Sequence, residues 1–177
     1  RLVCYAGWTD KYAALLGNQN PVAAPFYNFT TAEPTGVVAV IAPDEAPLLA
    51  LVSLLAPPLA AGNTVIALGS GAYPLATALL GEVAATSDVP AGVLNLLTGY
   101  AEELADVVAT HRGVDGIHAA GCAPPLKKIL EEGVAENLKR VRVRDVEGEG
   151  WFCNGCESPL WIEPFVEMKT IWHPRAL

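Results

Sequence analysis

Val37-Val38-Ala39-Val40-Ile41 opens a stretch that closes at Ala42-Pro43, continues through Pro47 to Leu59, turns at Ala61-Gly62-Asn63 and ends on Thr64-Val65-Ile66-Ala67-Leu68. Both short runs are uninterruptedly apolar and rich in β-branched residues, the pattern of strands covered on two faces. Between them Pro47 stands where the first turn of a helix tolerates proline, and the leucine-rich run behind it is long enough for a helix. Strand, helix and strand in this order make the crossover unit of a parallel sheet. The same alternation continues downstream. Gly69-Ser70-Gly71 is a turn, Pro74 to Ala85 a helix, Gly92 to Leu97 a strand and Glu102 to His111 a helix. Val114 to His118 then reads as a strand, Pro124 to Glu132 as a helix and Lys139 to Arg144 as a fifth strand. The expected class is α/β, a parallel sheet with flanking helices.

The 177 residues are 52% hydrophobic and 17% charged, which fits a domain with a sizeable core rather than a disordered chain. A net charge of -8 disfavours nucleic acid and anionic membranes as partners, because phosphate attracts the Lys and Arg that Asp and Glu outnumber here. No apolar run reaches the roughly 18 residues of a spanning helix. Arg1-Leu2-Val3-Cys4 reads as the middle of a helix in a fragment, without the charged-then-apolar pattern of an export signal, so a reducing, cytoplasmic setting and free thiols at Cys4, Cys122, Cys153 and Cys156 are expected. Asn20 to Glu33 is polar, aromatic and proline-bearing, more an edge ribbon than part of the central sheet. After Gly150 the composition changes: Trp151 to Leu177 holds three of the four tryptophans and the one methionine, and is expected to stand outside the core. Three regions follow: 1–33, a helix end and edge ribbon; 34–146, the α/β domain; 147–177, a divergent tail.

Tyr5-Ala6-Gly7-Trp8-Thr9-Asp10-Lys11, Glu33-Pro34-Thr35-Gly36-Val37-Val38, Leu59-Ala60-Ala61-Gly62-Asn63-Thr64-Val65 and Val89-Pro90-Ala91-Gly92-Val93-Leu94-Asn95, followed by Gly99, resemble the aldehyde dehydrogenase superfamily in its order and spacing, over about residues 1–143. The resemblance implies a Rossmann-like domain for NAD or NADP, truncated here to that cofactor domain. In the family a cysteine nucleophile attacks the aldehyde, hydride leaves to nicotinamide, and a glutamate activates water. It also implies that Ile41, Ala42, Pro43, Gly99 and Gly121 occupy cofactor-binding positions, here vestigial. Departures are numerous. The family's Pro-Trp-Asn-Phe-Pro is Pro43-Asp44-Glu45-Ala46-Pro47, so the oxyanion-holding amide becomes Glu45. Its ribose-holding lysine and glutamate become Leu68 and Gly71, and its Gly-Ser-Thr-x-x-Gly becomes Gly121-Cys122-Ala123-Pro124-Pro125-Leu126. The general base falls on Arg144, which stays protonated and cannot accept a proton. This pattern resembles the C-terminal, non-catalytic dehydrogenase-like region of aldehyde dehydrogenase family 16.

Other conspicuous residues have plainer readings. Cys122 lacks the cationic or helix-N-terminal setting of a reactive thiolate and reads as a small, buried residue. His118 reads as a satisfied core histidine and His111 as a helix C-terminal residue suited to the dipole. Cys153-x-x-Cys156 has the spacing of half a zinc site or of a redox pair, but zinc takes four ligands and only His173 is near, so no metal is expected. Asp10 and Asp115 read as surface or capping residues, Lys127-Lys128 as a solvated helix face, and Arg140, Arg142 and Arg144 as an alternating strand face. Three functions stay open. The first is a pseudoenzyme domain for protein interaction or self-association, with Asn20 to Thr31 as contact surface and no cofactor. The second is the NAD(P)-binding part of an active aldehyde dehydrogenase. The third is an unproductive fragment with an open sheet edge.

Overall fold

A computed structural model describes residues 1–23 and 25–175. Two short helices, α1 (Leu2–Ala6) and α2 (Tyr12–Leu16), precede strands β1 (Asn18–Asn20) and β2 (Phe26–Pro34). The α/β body follows as β3 (Val37–Ile41), α3 (Pro47–Ala60), β4 (Thr64–Leu68), α4 (Pro74–Ala85), β5 (Leu94–Leu97), α5 (Ala101–Thr110), β6 (Gly116–Ala120), α6 (Pro124–Gly133) and β7 (Arg140–Arg144). After a series of 3-10 turns the chain ends in β8 (Val166–Pro174). The expected strands and helices of the body are all present. β6 begins two residues later than the sequence suggests, because Asp115 is used to start the sheet: its N–H donates to the Val37 carbonyl (2.8 Å) and its carboxylate accepts from the Val37 N–H (2.8 Å).

The body is one parallel sheet in the order β5-β4-β3-β6-β7. The chain winds outward from β3 through β4 to β5, then crosses to the other side of β3 for β6 and β7. β3 shows why its residues are apolar throughout: Val40 packs into the core under α3 with Ala50, Leu51 and Leu54, whereas Ala39 and Ile41 pack into the opposite core with Ala105 and Ala109 of α5 and Leu126 and Leu130 of α6. Each face of the sheet thus buries its own helical layer. No helix among the described residues is long and apolar enough to cross a membrane.

Two expectations change. The segment beyond Gly150 does not stand apart from the core: Trp151, Ile162 and Phe165 are fully buried, and Trp161 and Cys156 nearly so. Its turns cover the α3 face, and β8 pairs antiparallel with β2 from Phe26↔Pro174 to Pro34↔Val166. In its own sheet, of order β1-β2-β8, the ribbon strand β2 is therefore central rather than an edge. The two sheets are tied through Asn63, whose amide oxygen accepts from the Gly36 N–H (2.8 Å) and whose NH2 donates to the carbonyls of Pro58 (3.0 Å) and Phe165 (2.9 Å).

Candidate functional site

In a sheet whose winding reverses, the carboxyl ends of the two strands at the reversal diverge and leave a crevice. Here those strands are β3 and β6, and a cleft of about 470 Å³ opens at their ends. Ile41, Ala42, Pro43 and Gly121 all line it. Gly99 does not, although its neighbour Tyr100 does. Gly121 is held at φ +63°, and a Cβ there would lie 2.5 Å from that of Pro43, so the two strand ends approach this closely only with glycine at 121.

Asp44 and Glu102 also line the cleft, residues that sequence reasoning did not single out. The Asp44 carboxylate accepts from the Ser70 hydroxyl (2.6 Å) and the Ala72 N–H (3.0 Å). The Ser70 hydrogen bond, followed by those from the Ala72 and Gly71 amides, holds its carboxyl below the usual range, so it is charged at neutral pH. No local pattern announces this contact, because Ser70 ends a different strand. At Gly71 a Cβ would meet the Tyr100 ring at 3.2 Å, so that ring takes the space into which a longer residue would extend.

A second cleft of similar size shares Pro43, Asp44 and Gly121, and is lined further by Glu45, Cys122 and Arg144. Glu45 accepts from the Gly148 N–H at 2.7 Å. Cys122 is half-buried, and burial pushes its thiol up to about 11, so it is protonated at neutral pH. Arg144 and His118 form the most constrained group. The Arg144 Nε–H donates to His118 Nε2 (3.0 Å), which leaves the proton of the neutral imidazole on Nδ1, where it donates to the Leu54 carbonyl (2.8 Å). The guanidinium carbon also lies 4.3 Å from the Trp161 ring centroid. Burial, then the Arg144 charge, push His118 down to about 3. Burial, then Arg142, pull Arg144 down to about 10, which still leaves it protonated at neutral pH.

The arginines read as an alternating strand face have specific partners. Arg144 is engaged as above, and Arg140 donates to the Pro164 and Val166 carbonyls and pairs with Glu167 at 2.8 Å. Both arginines serve the segment that the sequence had appeared to set apart. The plainer readings of His118, His111 and Asp115 agree with the structure: His118 is wholly buried and satisfied, and His111 caps the end of α5.

The profile of the aldehyde dehydrogenase family matches residues 2–145, the whole α/β body together with β1, β2 and the short helices before it. Over 137 residues the chain is 37% identical to retinal dehydrogenase 2 from Homo sapiens, which covers 77% of this chain and 26% of the relative. Cytosolic aldehyde dehydrogenase 1 from Elephantulus edwardii is 34% identical over 136 residues, again 26% of its length. Among solved structures, PnpE from Pseudomonas sp. WBC-3 superposes with a TM-score of 0.73 at 33% identity, over 80% of this chain and 28% of that one. PnpE in complex with nicotinamide adenine dinucleotide gives the same score at 32% identity. The chain spans about a quarter of the length of the relatives it matches. The profile match over most of the chain and the identity to these relatives agree, and this chain belongs to the aldehyde dehydrogenase family.

Proposed function

We propose that the chain is an aldehyde dehydrogenase-family domain that no longer carries catalysis and serves in protein interaction or self-association, a cytoplasmic pseudoenzyme whose counterpart is the C-terminal region of aldehyde dehydrogenase family 16. The observation that carries this reading is Arg144. It stands where the family's general base falls, and its guanidinium donates to His118 and lies over Trp161, so that position holds a cation in place of a carboxylate that could take a proton. Glu45, at the position of the oxyanion-holding amide, brings a charge of the wrong sign to an oxyanion.

A dinucleotide fits the main cleft poorly. Its lining contains two carboxylates, Asp44 and Glu102, and no Lys or Arg to offset a pyrophosphate. α6, whose start faces the cleft, opens on Pro124-Pro125, which lack the N–H groups that a helix N-terminus offers to anions. Tyr100 blocks the extension of any side chain from position 71. Loss of one such group costs an enzyme orders of magnitude in rate, and the departures fall on base, oxyanion donor and cofactor clamp together.

The second reading, the NAD(P)-binding part of an active aldehyde dehydrogenase, is favoured by the crevice at the reversal of the sheet and by the likeness to PnpE in its dinucleotide complex. Calorimetric titration of the folded chain with NAD+ and NADP+ separates the two. The pseudoenzyme reading expects no saturable heat. Saturable binding at about micromolar affinity, some -8 kcal/mol, would overturn it and establish the second.

A further inference from the structure

Cys153 and Cys156 lie in the segment that joins the α/β body to β8, line neither cleft, and are left unused by the proposed function. The Cys156 N–H donates to the Cys153 carbonyl at 3.4 Å. A turn closed in this way brings the first and fourth Cα atoms to within about 7 Å, the range that a disulfide spans. The Cys153 sulfur folds back over Gly155, 3.3 Å from where a Cβ on that glycine would sit, and the Cys156 thiol donates to the Gly150 carbonyl at 3.5 Å. The two thiols differ in access: Cys153 is exposed, whereas Cys156 is 2% exposed. The backbone around them is fixed from α1. Arg1 donates to the carbonyls of Trp151 (2.6 Å) and Cys153 (2.7 Å) and pairs with Glu157 (3.0 Å), and the Tyr5 hydroxyl donates to the Cys156 carbonyl (2.9 Å).

We propose that Cys153 and Cys156 form a dithiol–disulfide site that reacts with low-molecular-weight disulfides, with Cys153 as attacking and Cys156 as resolving thiol. The Cys153 thiolate attacks one sulfur of the small disulfide, whose S–S bond breaks and releases one thiolate. The Cys156 thiolate then attacks the Cys153 sulfur of the mixed disulfide, forms the internal S–S bond and expels the second thiolate. The two protons of the protein thiols end on the two released small thiols; the protein loses two electrons and the reagent gains them. Burial raises the Cys156 thiol, which makes the exposed partner the first to react, while the nearby Arg1 charge favours the Cys156 thiolate when it resolves. The internal bond closes the turn that directly follows the one carrying Trp151, between β7 and β8.

The test incubates the reduced 177-residue chain with glutathione disulfide, blocks the remaining thiols with iodoacetamide in denaturant, and reads intact mass and mapped peptides. Expected is a mass lower by two hydrogen atoms before alkylation, a linked Cys153–Cys156 peptide, alkylated Cys4 and Cys122, and reversal by dithiothreitol. Cys156→Ala should hold one glutathione on Cys153, and Cys153→Ala should leave Cys156 unmodified. A stable mixed disulfide on Cys153 in the unsubstituted chain, a bridge that includes Cys4 or Cys122, or no reaction at all would overturn the proposal. The unsubstituted chain alone decides if the Cys156→Ala variant does not fold.

Discussion

Pro58 lies in the last turn of α3 and lacks the N–H that would reach the Leu54 carbonyl four residues before it. That buried oxygen takes its hydrogen bond from His118 Nδ1 instead, and His118 Nε2 in turn receives the Arg144 Nε–H. One proline on a helix thus sets the tautomer of a histidine five elements further along the chain and the position of an arginine at the site. Because the unfolded histidine takes up a proton near pH 6.5 and the folded one near 3, the unfolded state binds more protons between these values. Stability is therefore full above 6.5 and falls as the pH drops below it. By pH 5 the loss reaches about 2 kcal/mol, before most carboxylates titrate. Urea titrations at a series of pH values check this: His118→Gln should be less stable at neutral pH but lack that part of the acid slope, and an unchanged slope would show that His118 is not its source. A second residue is strained for no visible return. Leu138 sits at φ +56° with its side chain 93% exposed. Leu138→Gly relieves the left-handed backbone without loss of packing and should stabilise the chain by about 1 kcal/mol, read as a rise in Tm of roughly 2–4 °C.

At the scale of elements, the 3-10 turn Gly148–Phe152 places Trp151 wholly inside the core under α3, where Trp151 Nε1 finds no partner among the described residues. The residue's contribution is therefore volume and apolar contact rather than a hydrogen bond. Trp151→Ala should cost about 3–5 kcal/mol in chemical denaturation, whereas Trp151→Phe, which removes no bond, should cost less than about 2 kcal/mol. Equal losses would mean that the indole N–H matters after all. This turn also marks where the sequence stops being legible. β3, α3 and β4 can be read directly because burial on two faces imposes an unbroken apolar run, and a helix between two such runs imposes its own length. The stretch from Trp151 to Phe165 has no such period: 3-10 turns are too short to repeat, and their burial is set by α1 and α3, which lie far away along the chain. The strand β8 is equally silent, since its partner β2 precedes it by nearly the whole α/β body. At the site, the strand-end residues Ile41, Ala42, Pro43 and Gly121 could be placed from their positions, but Asp44 with Ser70, and Arg144 with His118 and Trp161, arise from contacts between elements that no local pattern encodes.

The whole molecule is asymmetric in its burial. The α/β body has a core on each side of its sheet, but β8 is exposed from Met168 to Pro174, on both faces of its strand, while pairing on one side only with β2. A three-stranded sheet exposed in this way gains little from its own packing. It nonetheless displays Phe26, Met168, Ile171 and Trp172, the first and last of which stack edge to face at 5.8 Å. Apolar side chains beside an unpaired nine-residue strand edge make a template for another strand, and the arrangement supports the interaction role proposed above. A second copy of the chain supplies the same strand and the same side chains, so an antiparallel β8–β8 pair would satisfy both edges at once. Sedimentation velocity across a wide range of concentration should then show reversible self-association. Trp172→Lys, at a residue 59% exposed in the single chain, should weaken it about thirtyfold, ~2 kcal/mol, with little change in Tm. A chain that stays monomeric at every concentration, or a Trp172→Lys variant that associates as strongly as its parent, would remove β8 as the contact.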